Sequence, residues 1–402
     1  MRLNDAIKAF SEIVEPDLVS RNVAIDACVR NNNKEYALRI FTGMLQENEY
    51  DGFTLTSIAK MCLEPAELHL GKLLHGFAIK TSLTYETPMS NALLTMYSRC
   101  EGGMTSALKI FGRTLVPNII SWTAVIAGCL QNKHNEEAIG FYKNMLRQGV
   151  TDNDFSFATI LSACGNMANL GHGRQIHARI VKSYFGVDVC VNNALIDMYS
   201  KCGSLQEAHL VFGTMEKHDK ISCTAMITAF AHYGKGKEAF VILDKMTREG
   251  LIPDDVTFIG CLSACSHGGY LNEGIWMFRM MMDVYNIKPR REHFSCVVDM
   301  LGRAGRLTEA ESFIEEMGIG SDVFVWETLL GACRIHGEMG LGVKAMRKII
   351  ELQPDNHNNY VLLANMYADG GLWEEKGVVL ENLVSYGLKK ETGCSWLALQ
   401  NF

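Results

Sequence analysis

Residues 193–202 read NALIDMYSKC, and residues 91–100 read NALLTMYSRC. The two stretches lie 102 residues apart, and their surroundings recur as well. SWTAVIAG at 121–128 returns as SCTAMITA at 222–229, and ATILSAC at 158–164 returns as IGCLSAC at 259–265. LGKLLH at 70–75 returns within LGHGRQIH at 170–177, so that Gly71 matches Gly173 and His75 matches His177. Self-similarity over this length marks a repeat protein, and the repeat has to be settled before any site is discussed.

A small residue that recurs in the second half of each unit sets the period. The series is Ala6, Ala37, Gly71, Ala107, Ala138, Gly173, Ala208, Ala239, Gly274, Ala310 and Gly342. Its spacings run from 31 to 36 residues and repeat every three units, or about 101 residues. Short side chains let two antiparallel helices approach closely. Phe41, Phe111, Phe141, Phe212 and Phe278 follow the marker and are expected to fill the space between units.

Each unit reads as two helices. In VNNALIDMYSKC, Leu195, Ile196, Met198 and Tyr199 recur on one face at helical spacing. Gly203 ends that helix. Ser204, with Glu207 three residues on, then has the pattern of a capping box. Pro16, Pro117, Pro253, Pro289 and Pro354 fall at unit ends, where they interrupt no helix. No unit can bury its apolar face alone, so the fold expected is all-α: a right-handed α-solenoid superhelix of stacked helix-turn-helix repeats with a long concave surface.

Composition narrows the functional classes. Apolar residues make up 48 % of the chain, enough for a continuous core, and the formal net charge is −7. No global basic field exists, so a polyanion would have to meet a local patch. The 13 cysteines have no framework spacing and mostly sit in apolar helical runs, which reads as free buried thiols in a reducing compartment. No run approaches the ~20 apolar residues of a membrane span. Residues 1–17 read as half a unit, so the array and any targeting segment are expected to begin upstream.

At this point the chain resembles plant pentatricopeptide repeat proteins of the class with alternating P, L and S repeats. The residues that carry the resemblance are PDLVSRN (16–22), PNIISWT (117–123), NALIDMYSKCGSLQEA (193–208) and LSACSHGGYLNEG (262–274). The tail is more specific still. IKPRREHFSCVVDMLGRAGRLTEA (287–310), VWETLLGACRIHGEMGLG (325–342) and NNYVLLANMYADGGLWEE (358–375) are similar to the last repeats and the E extension, and KKETGCSW (389–396) to the junction after it. The resemblance implies a partial repeat at 1–17 and nine repeats over 18–322. It further implies an E-type helical extension at 323–390 and a C-terminal tail at 391–402. A tetratricopeptide array, the structural rival, would keep a uniform 34-residue unit and lack this tail.

The resemblance implies single-stranded RNA as ligand, one base per repeat, read by an early first-helix residue and the last residue of the unit. By position in this chain the first-helix residues are Asn22, Thr56, Asn91, Thr123, Ala158, Asn193, Thr224, Ile259 and Ser295. The unit ends are Asp51, Glu86, Asn118, Asn153, Asp188, Asp219, Asp254, Arg290 and Asp322. Apolar Val19, Ile120 and Ile221 would wedge against base faces. Asn22 with Asp51, and Asn193 with Asp219, resemble uracil readers. Asn91 with Asn118 resembles a pyrimidine reader, Thr123 with Asn153 an adenine reader, and Thr224 with Asp254 a guanine reader. Units carrying Thr56, Ala158 and Ile259 depart from the readable pattern. The implied target is U-n-Y-A-n-U-G-n-n, 5′ to 3′ from the N-terminal unit. An Asp or Asn just before a helix is also an ordinary N-cap. Variation between Asn and Thr at one place, while core letters barely change, favours readout.

Two other candidates carry less. His75 and His177 occupy equivalent places far apart in the array, which suits packing or hydrogen bonding. Cys261 and Cys265 lack the further Cys or His that zinc needs. No C-x-x-C occurs anywhere in the chain, so the paired H-x-E and P-C-x-x-C signature of zinc deaminases is missing. The resemblance therefore implies a non-enzymatic specificity factor for organellar C-to-U RNA editing, recruiting a deaminase-domain relative and editing co-factors in trans through its E-type region. No cofactor, small-molecule substrate or membrane partner is expected. The location implied is mitochondrion or chloroplast, with preference for the mitochondrion. An RNA-binding factor for transcript stability, splicing or translation stays open. A protein-binding scaffold without RNA would instead carry apolar or uniformly charged concave residues.

Overall fold

The computed structural model describes residues 3–62, 67–100, 102–183 and 188–385. The KKETGCSW stretch and the tail at 391–402 lie outside the described residues. Among the described residues there are twenty-three α-helices and no strand. The chain divides into two compact units, Met1–Lys217 and His218–Phe402.

The first unit holds α1 (Leu3–Ser11), α2 (Leu18–Arg30), α3 (Lys34–Glu47), α4 (Gly52–Ala59), α5 (Leu68–Lys80), α6 (Thr87–Arg99), α7 (Met104–Arg113), α8 (Ile119–Gln131), α9 (Asn135–Arg147), α10 (Asp154–Asn166), α11 (Leu170–Ser183), α12 (Val189–Lys201) and α13 (Leu205–Thr214). The second holds α14 (Lys220–His232), α15 (Gly236–Arg248), α16 (Asp255–Gly268), α17 (Leu271–Asp283), α18 (Arg291–Arg303), α19 (Leu307–Glu316), α20 (Val323–His336), α21 (Met339–Leu352), α22 (His357–Asp369) and α23 (Trp373–Ser385). Even-numbered helices pair with the odd-numbered helix that follows. From α2 to α12 in the first unit, and from α14 to α20 in the second, each even helix also packs on the next even helix. Within each unit this is a solenoid of stacked helical hairpins, one row of even helices backed by a row of odd ones.

Local sequence explains the hairpins. One residue with positive φ reverses the chain between the two helices. Gly203 (φ 84°) and Gly305 (φ 72°) meet this at no steric cost, whereas Lys133 (φ 63°) and Ala168 (φ 49°) adopt it with a Cβ. The next helix then lays its small marker into the stack. Ala37, Ala107, Ala138, Ala208, Ala239 and Ala310 are fully buried.

The glycine markers answer mainly to the following hairpin, a point the periodicity did not reveal. A Cβ on Gly71, Gly173 or Gly274 would collide with Met96, Met198 or Met300 respectively, each on the first helix of the next hairpin. The flexible thioether fills the notch that the missing side chain leaves. Phe41, Phe212 and Phe278 are buried as expected. Phe111 and Phe141 are only half-buried and meet edge-on, with centroids 5.6 Å apart. Ser204 departs from the expected capping box. Its hydroxyl bonds the Glu207 carboxylate and makes no cap bond to the backbone, while Glu207 also accepts from Arg174 at 2.6 Å.

Two substitutions are expected to move stability in opposite directions. Gly173→Ala overpacks the Met198 notch and lowers stability by about 1–3 kcal/mol. Ala168→Gly relieves a left-handed alanine and raises it by about 1 kcal/mol. Urea unfolding followed by circular dichroism checks both. Equal signs for the two would contradict this packing account.

Candidate nucleic-acid interface

The residues singled out in sequence cluster where one even helix begins beside its neighbour. Asp51 caps α4, accepting from Thr54 N at 2.8 Å, and Thr54 returns a hydroxyl to the Asp51 backbone. Asn22 reaches this cap from α2. Its Nδ2 donates to Asp51 Oδ1 at 3.1 Å, and its Oδ1 accepts from Thr54 Oγ1 at 2.6 Å. Thr54 has one hydroxyl proton, so it serves Asn22 or Asp51 Oδ1 (2.9 Å) but not both at once. Burial alone would raise the Asp51 carboxyl. The hydrogen bonds from Thr54 and Asn22 outweigh it and hold the group below its ordinary value.

The second unit repeats this corner. Asp254 caps α16 through Thr257 N at 3.0 Å, the Thr257 hydroxyl lies 2.9 Å from Asp254 Oδ1, and Thr224 Oγ1 lies 2.8 Å from Thr257 Oγ1. Lys220 adds an ion pair to Asp254 at 2.7 Å. Burial pushes this carboxyl up, but Lys220 and Thr257 bring it below its ordinary value. Residues some thirty positions apart in sequence thus share one polar corner.

A third corner is open. Thr56, Asn91, Asn118 and Ile120 line a cavity of about 510 Å³ together with Lys60, Thr87, Pro88, Ala92, Thr95 and Arg99. Asn118 caps α8 through Ser121 N at 3.0 Å. Asn91 Oδ1 is enclosed and has no hydrogen-bond partner. Among the described residues, neither Lys60 nor Arg99 pairs with a carboxylate. The cavity therefore offers one free acceptor, an exposed isoleucine and two free cations, which suits a planar, hydrogen-bonding, anionic guest.

The remaining positions vary. Asn153, Asp188, Asp219 and Asp322 cap α10, α12, α14 and α20. The Thr123 hydroxyl is bonded back to Ile119 O at 2.8 Å and does not reach Asn153. The Thr56 hydroxyl is likewise occupied by Gly52 O, at 2.7 Å. Asn193, Ala158 and Ile259 are half-buried in α12, α10 and α16. Glu86 precedes α6 without capping it through its side chain. Arg290 pairs with Asp255 at 2.7 Å. At the equivalent place Asp154 meets Asp188, and its carboxyl is raised by burial and by that neighbouring charge. Ser295 is buried, and its Oγ lacks a partner.

Val19, Ile120 and Ile221 are 67 %, 59 % and 62 % exposed, each two residues beyond the residue that precedes its helix. Phe53, Phe155, Val256 and Phe324 stand at the same place, with exposures from 48 % to 57 %. Sequence reasoning missed these four. Counting two residues on from Asp51, Asn153, Asp254 and Asp322 would have found them.

The other candidates are structural. His75 Nδ1 meets Tyr97 Oη at 3.0 Å, and His177 Nδ1 meets Tyr199 Oη at 2.8 Å. Burial lowers both imidazoles. Cys261 and Cys265 are fully buried, and burial pushes the Cys265 thiol up to about 12. Two H-x-E triplets occur, His134–Glu136 and His336–Glu338, but among the described residues no three His, Cys, Asp or Glu side chains are grouped to hold a metal. No helix among them is long and apolar enough to cross a membrane.

Comparison with known proteins bears on the family and the fold. The PPR repeat profile matches residues 19–49, 193–219, 256–284 and 292–318, the PPR repeat family profile 117–166 and 218–267, and the E motif profile 336–398. Pentatricopeptide repeat-containing protein At2g33680 of Arabidopsis thaliana is 36 % identical over 403 residues, covering 99 % of this chain and 55 % of that protein. From the same plant, the mitochondrial pentatricopeptide repeat-containing protein At3g02330 is 35 % identical, covering 99 % and 46 %. The chain spans about half the length of the curated relatives it matches. Among solved structures, PPR10 in complex with an 18-nt psaJ RNA element superposes with a TM-score of 0.74 at 16 % identity, covering 96 % of this chain and 58 % of that one, a likeness of fold.

The caps make a pH-dependent contribution. Asp51 and Asp254 have lowered folded values, so their contribution is complete above the ordinary value of 3.8 and is lost as pH falls through the lowered one. Asp51→Ala should cost about 1 kcal/mol at neutral pH, whereas Asp51→Asn keeps the cap and removes this residue's share of the acid sensitivity, leaving that of Asp254. Melting temperatures of the three proteins between pH 3 and pH 7 check this. A variant with Asn that still tracks pH as the unaltered chain does would contradict it.

Proposed function

The chain belongs to the pentatricopeptide repeat family, and on that premise we propose that it binds single-stranded RNA sequence-specifically, reading one base at each corner between successive even helices. The observation that carries this reading is the Asn22–Asp51–Thr54 corner and its counterpart Thr224–Thr257–Asp254. Each places two short polar side chains beside an exposed apolar residue, Phe53 and Val256 respectively. Such a pair can contact a base edge while the apolar residue meets its face.

Base by base, Asn22 with Asp51 takes uracil, and the sequence expectation for Asn193 and Asp219 adds uracil as the sixth letter. Asn91 with Asn118 takes a pyrimidine, Thr123 with Asn153 adenine, and Thr224 with Asp254 guanine. Ser295 with Asp322 belongs to the same series, and Val19, Ile120 and Ile221 wedge between bases. Lys60 and Arg99 supply the local cations that a chain of net charge −7 needs to meet phosphates.

The E motif match at 336–398 favours a role in C-to-U editing over one in stability, splicing or translation. On this reading the chain is a binding factor. It brings a deaminase supplied by another chain to the site, in an organelle. Three relatives named as mitochondrial support the mitochondrion.

Selection from a random RNA pool by the full chain tests the binding. The expected consensus is U-n-Y-A-n-U-G-n-n, and Thr224→Asn should change its seventh letter from guanine to uracil. An unrelated consensus, or no selection, sinks the assignment. Organellar RNA from plants lacking the protein should lose editing at a few sites. Unchanged editing with altered transcript levels or splicing would replace the editing role.

A further inference from the structure

Among the described residues, five boxed caps carry a hydroxyl at the third residue of an even helix: Thr54, Ser121, Ser156, Ser222 and Thr257. All five are fully buried, and each accepts from the backbone amide of its own cap residue. What differs is the direction of the hydroxyl. The three serines turn it back on their own cap. Ser121 donates to Asn118 Oδ1 at 3.2 Å, and Ser156 and Ser222 donate to Asn153 O and Asp219 O, both at 2.8 Å. The two threonines stand against the facing helix. Thr54 Oγ1 lies 2.6 Å from Asn22 Oδ1, closer than its 2.9 Å to Asp51, and Thr257 Oγ1 lies 2.8 Å from Thr224 Oγ1.

The capping residue does not make this difference. Asp51 and Asp219 are both carboxylates, yet Thr54 reaches across while Ser222 turns back. The residue type does: a β-branched threonine has little freedom about its first side-chain torsion, whereas serine has no methyl to hold its hydroxyl. The consequence falls on the facing side chain. Asn22 donates from Nδ2 to Asp51 at 3.1 Å and accepts at Oδ1 from Thr54, so its amide is held at both ends. Turned over, its oxygen would face the Asp51 carboxylate, acceptor against acceptor. Asn91, opposite Ser121, has no partner on Oδ1.

We propose that the third residue of the next even helix is a specificity-determining position for the corner before it: threonine there locks the facing side chain in one donor–acceptor order, and serine leaves it free to turn. Uracil and cytosine present a donor and an acceptor in opposite order along the edge where they differ. A held amide matches one of them, and a free amide matches either by turning over. Thr54 and Thr257 are thus positioning residues that act through Asn22 and Thr224. The inference rests on the RNA-binding reading and deepens it, because it gives a physical reason for uracil at Asn22 and either pyrimidine at Asn91.

One exchange at each corner tests it, with full chains and the RNA that the unaltered chain selects from a random pool. Affinities are compared for copies carrying uracil or cytosine at the first or the third letter. The unaltered chain should prefer uracil about tenfold at the first letter and show little preference between the two at the third. Thr54→Ser should bring the first ratio close to one, and Ser121→Thr should raise the third to about tenfold in favour of uracil. Lost stability alone would weaken both bases alike and leave the ratios where they were. An unmoved ratio in either variant overturns the inference and leaves the RNA reading standing. A second measurement needs no RNA. The melting-temperature changes of Asn22→Ala and Thr54→Ser should be non-additive, and those of Asn91→Ala and Ser121→Ala additive. Additive changes at the first corner overturn the lock whatever RNA is bound. Failure of the unaltered chain to select any RNA overturns the reading and this inference with it.

Discussion

The bond between a capping side chain and the third backbone amide of the helix sets the geometry of everything else. Asp51, Asn118, Asn153, Asp219 and Asp254 each make it. A cap fixes the residue at which a helix begins. The start fixes its rotation, because successive residues turn by a constant angle. Two residues on, a side chain points outward, as Phe53, Ile120 and Phe155 do. Five residues on, it faces the next even helix, as Asn22 and Thr224 do. Moving the start by one residue would rotate both positions out of register. The cap is thus a positional reference as well as a source of stability.

Packing then holds neighbouring references in step. The Gly173–Met198 and Gly274–Met300 contacts join the second helix of one hairpin to the first helix of the next. A notch and a flexible thioether tolerate small differences in hairpin length, which the sequence has, since its spacings vary from 31 to 36 residues. The polar corner has less tolerance. It depends on hydrogen bonds of 2.6–3.1 Å between helices, which narrows the spacings compatible with a closed corner.

The all-helical repeat fold was legible because it rests on periodicity, and periodicity survives the reading of one sequence. The polar corners were legible only in part. Sequence presented Asp51 as either a cap or a partner of Asn22, and the structure shows one carboxylate doing both. Which polar groups are already satisfied inside the protein was not legible. Asn22 has both ends of its amide occupied, whereas Asn91 Oδ1 and Ser295 Oγ have no partner. Beyond Ser295 the third residue after the next cap is Val325, which has no hydroxyl to offer, whereas beyond Asn91 it is Ser121, whose hydroxyl is turned to Asn118. The exposed Phe53, Phe155, Val256 and Phe324 were missed for another reason. Only the aliphatic Val19, Ile120 and Ile221 were counted, although the position is defined by distance from the cap.

An acidic chain proposed to hold RNA poses an electrostatic question, and the caps answer part of it. A carboxylate at a helix N-terminus faces the positive end of the helix dipole and several amide protons, so much of its field is spent locally. Asp51 accepts from Thr54 and Asn22, and Asp254 from Thr257 and Lys220. Asp299 and Asp197 are similarly engaged by Arg303 and Lys201 one helical turn away. The formal charge of −7 therefore overstates the repulsion a phosphate meets at these corners. Among the described residues Lys60 and Arg99 have no such partners, and they flank the cavity where Asn91 keeps its carbonyl free. Cations left unpaired beside an acceptor left unpaired form a combination that the fold does not need for its own stability.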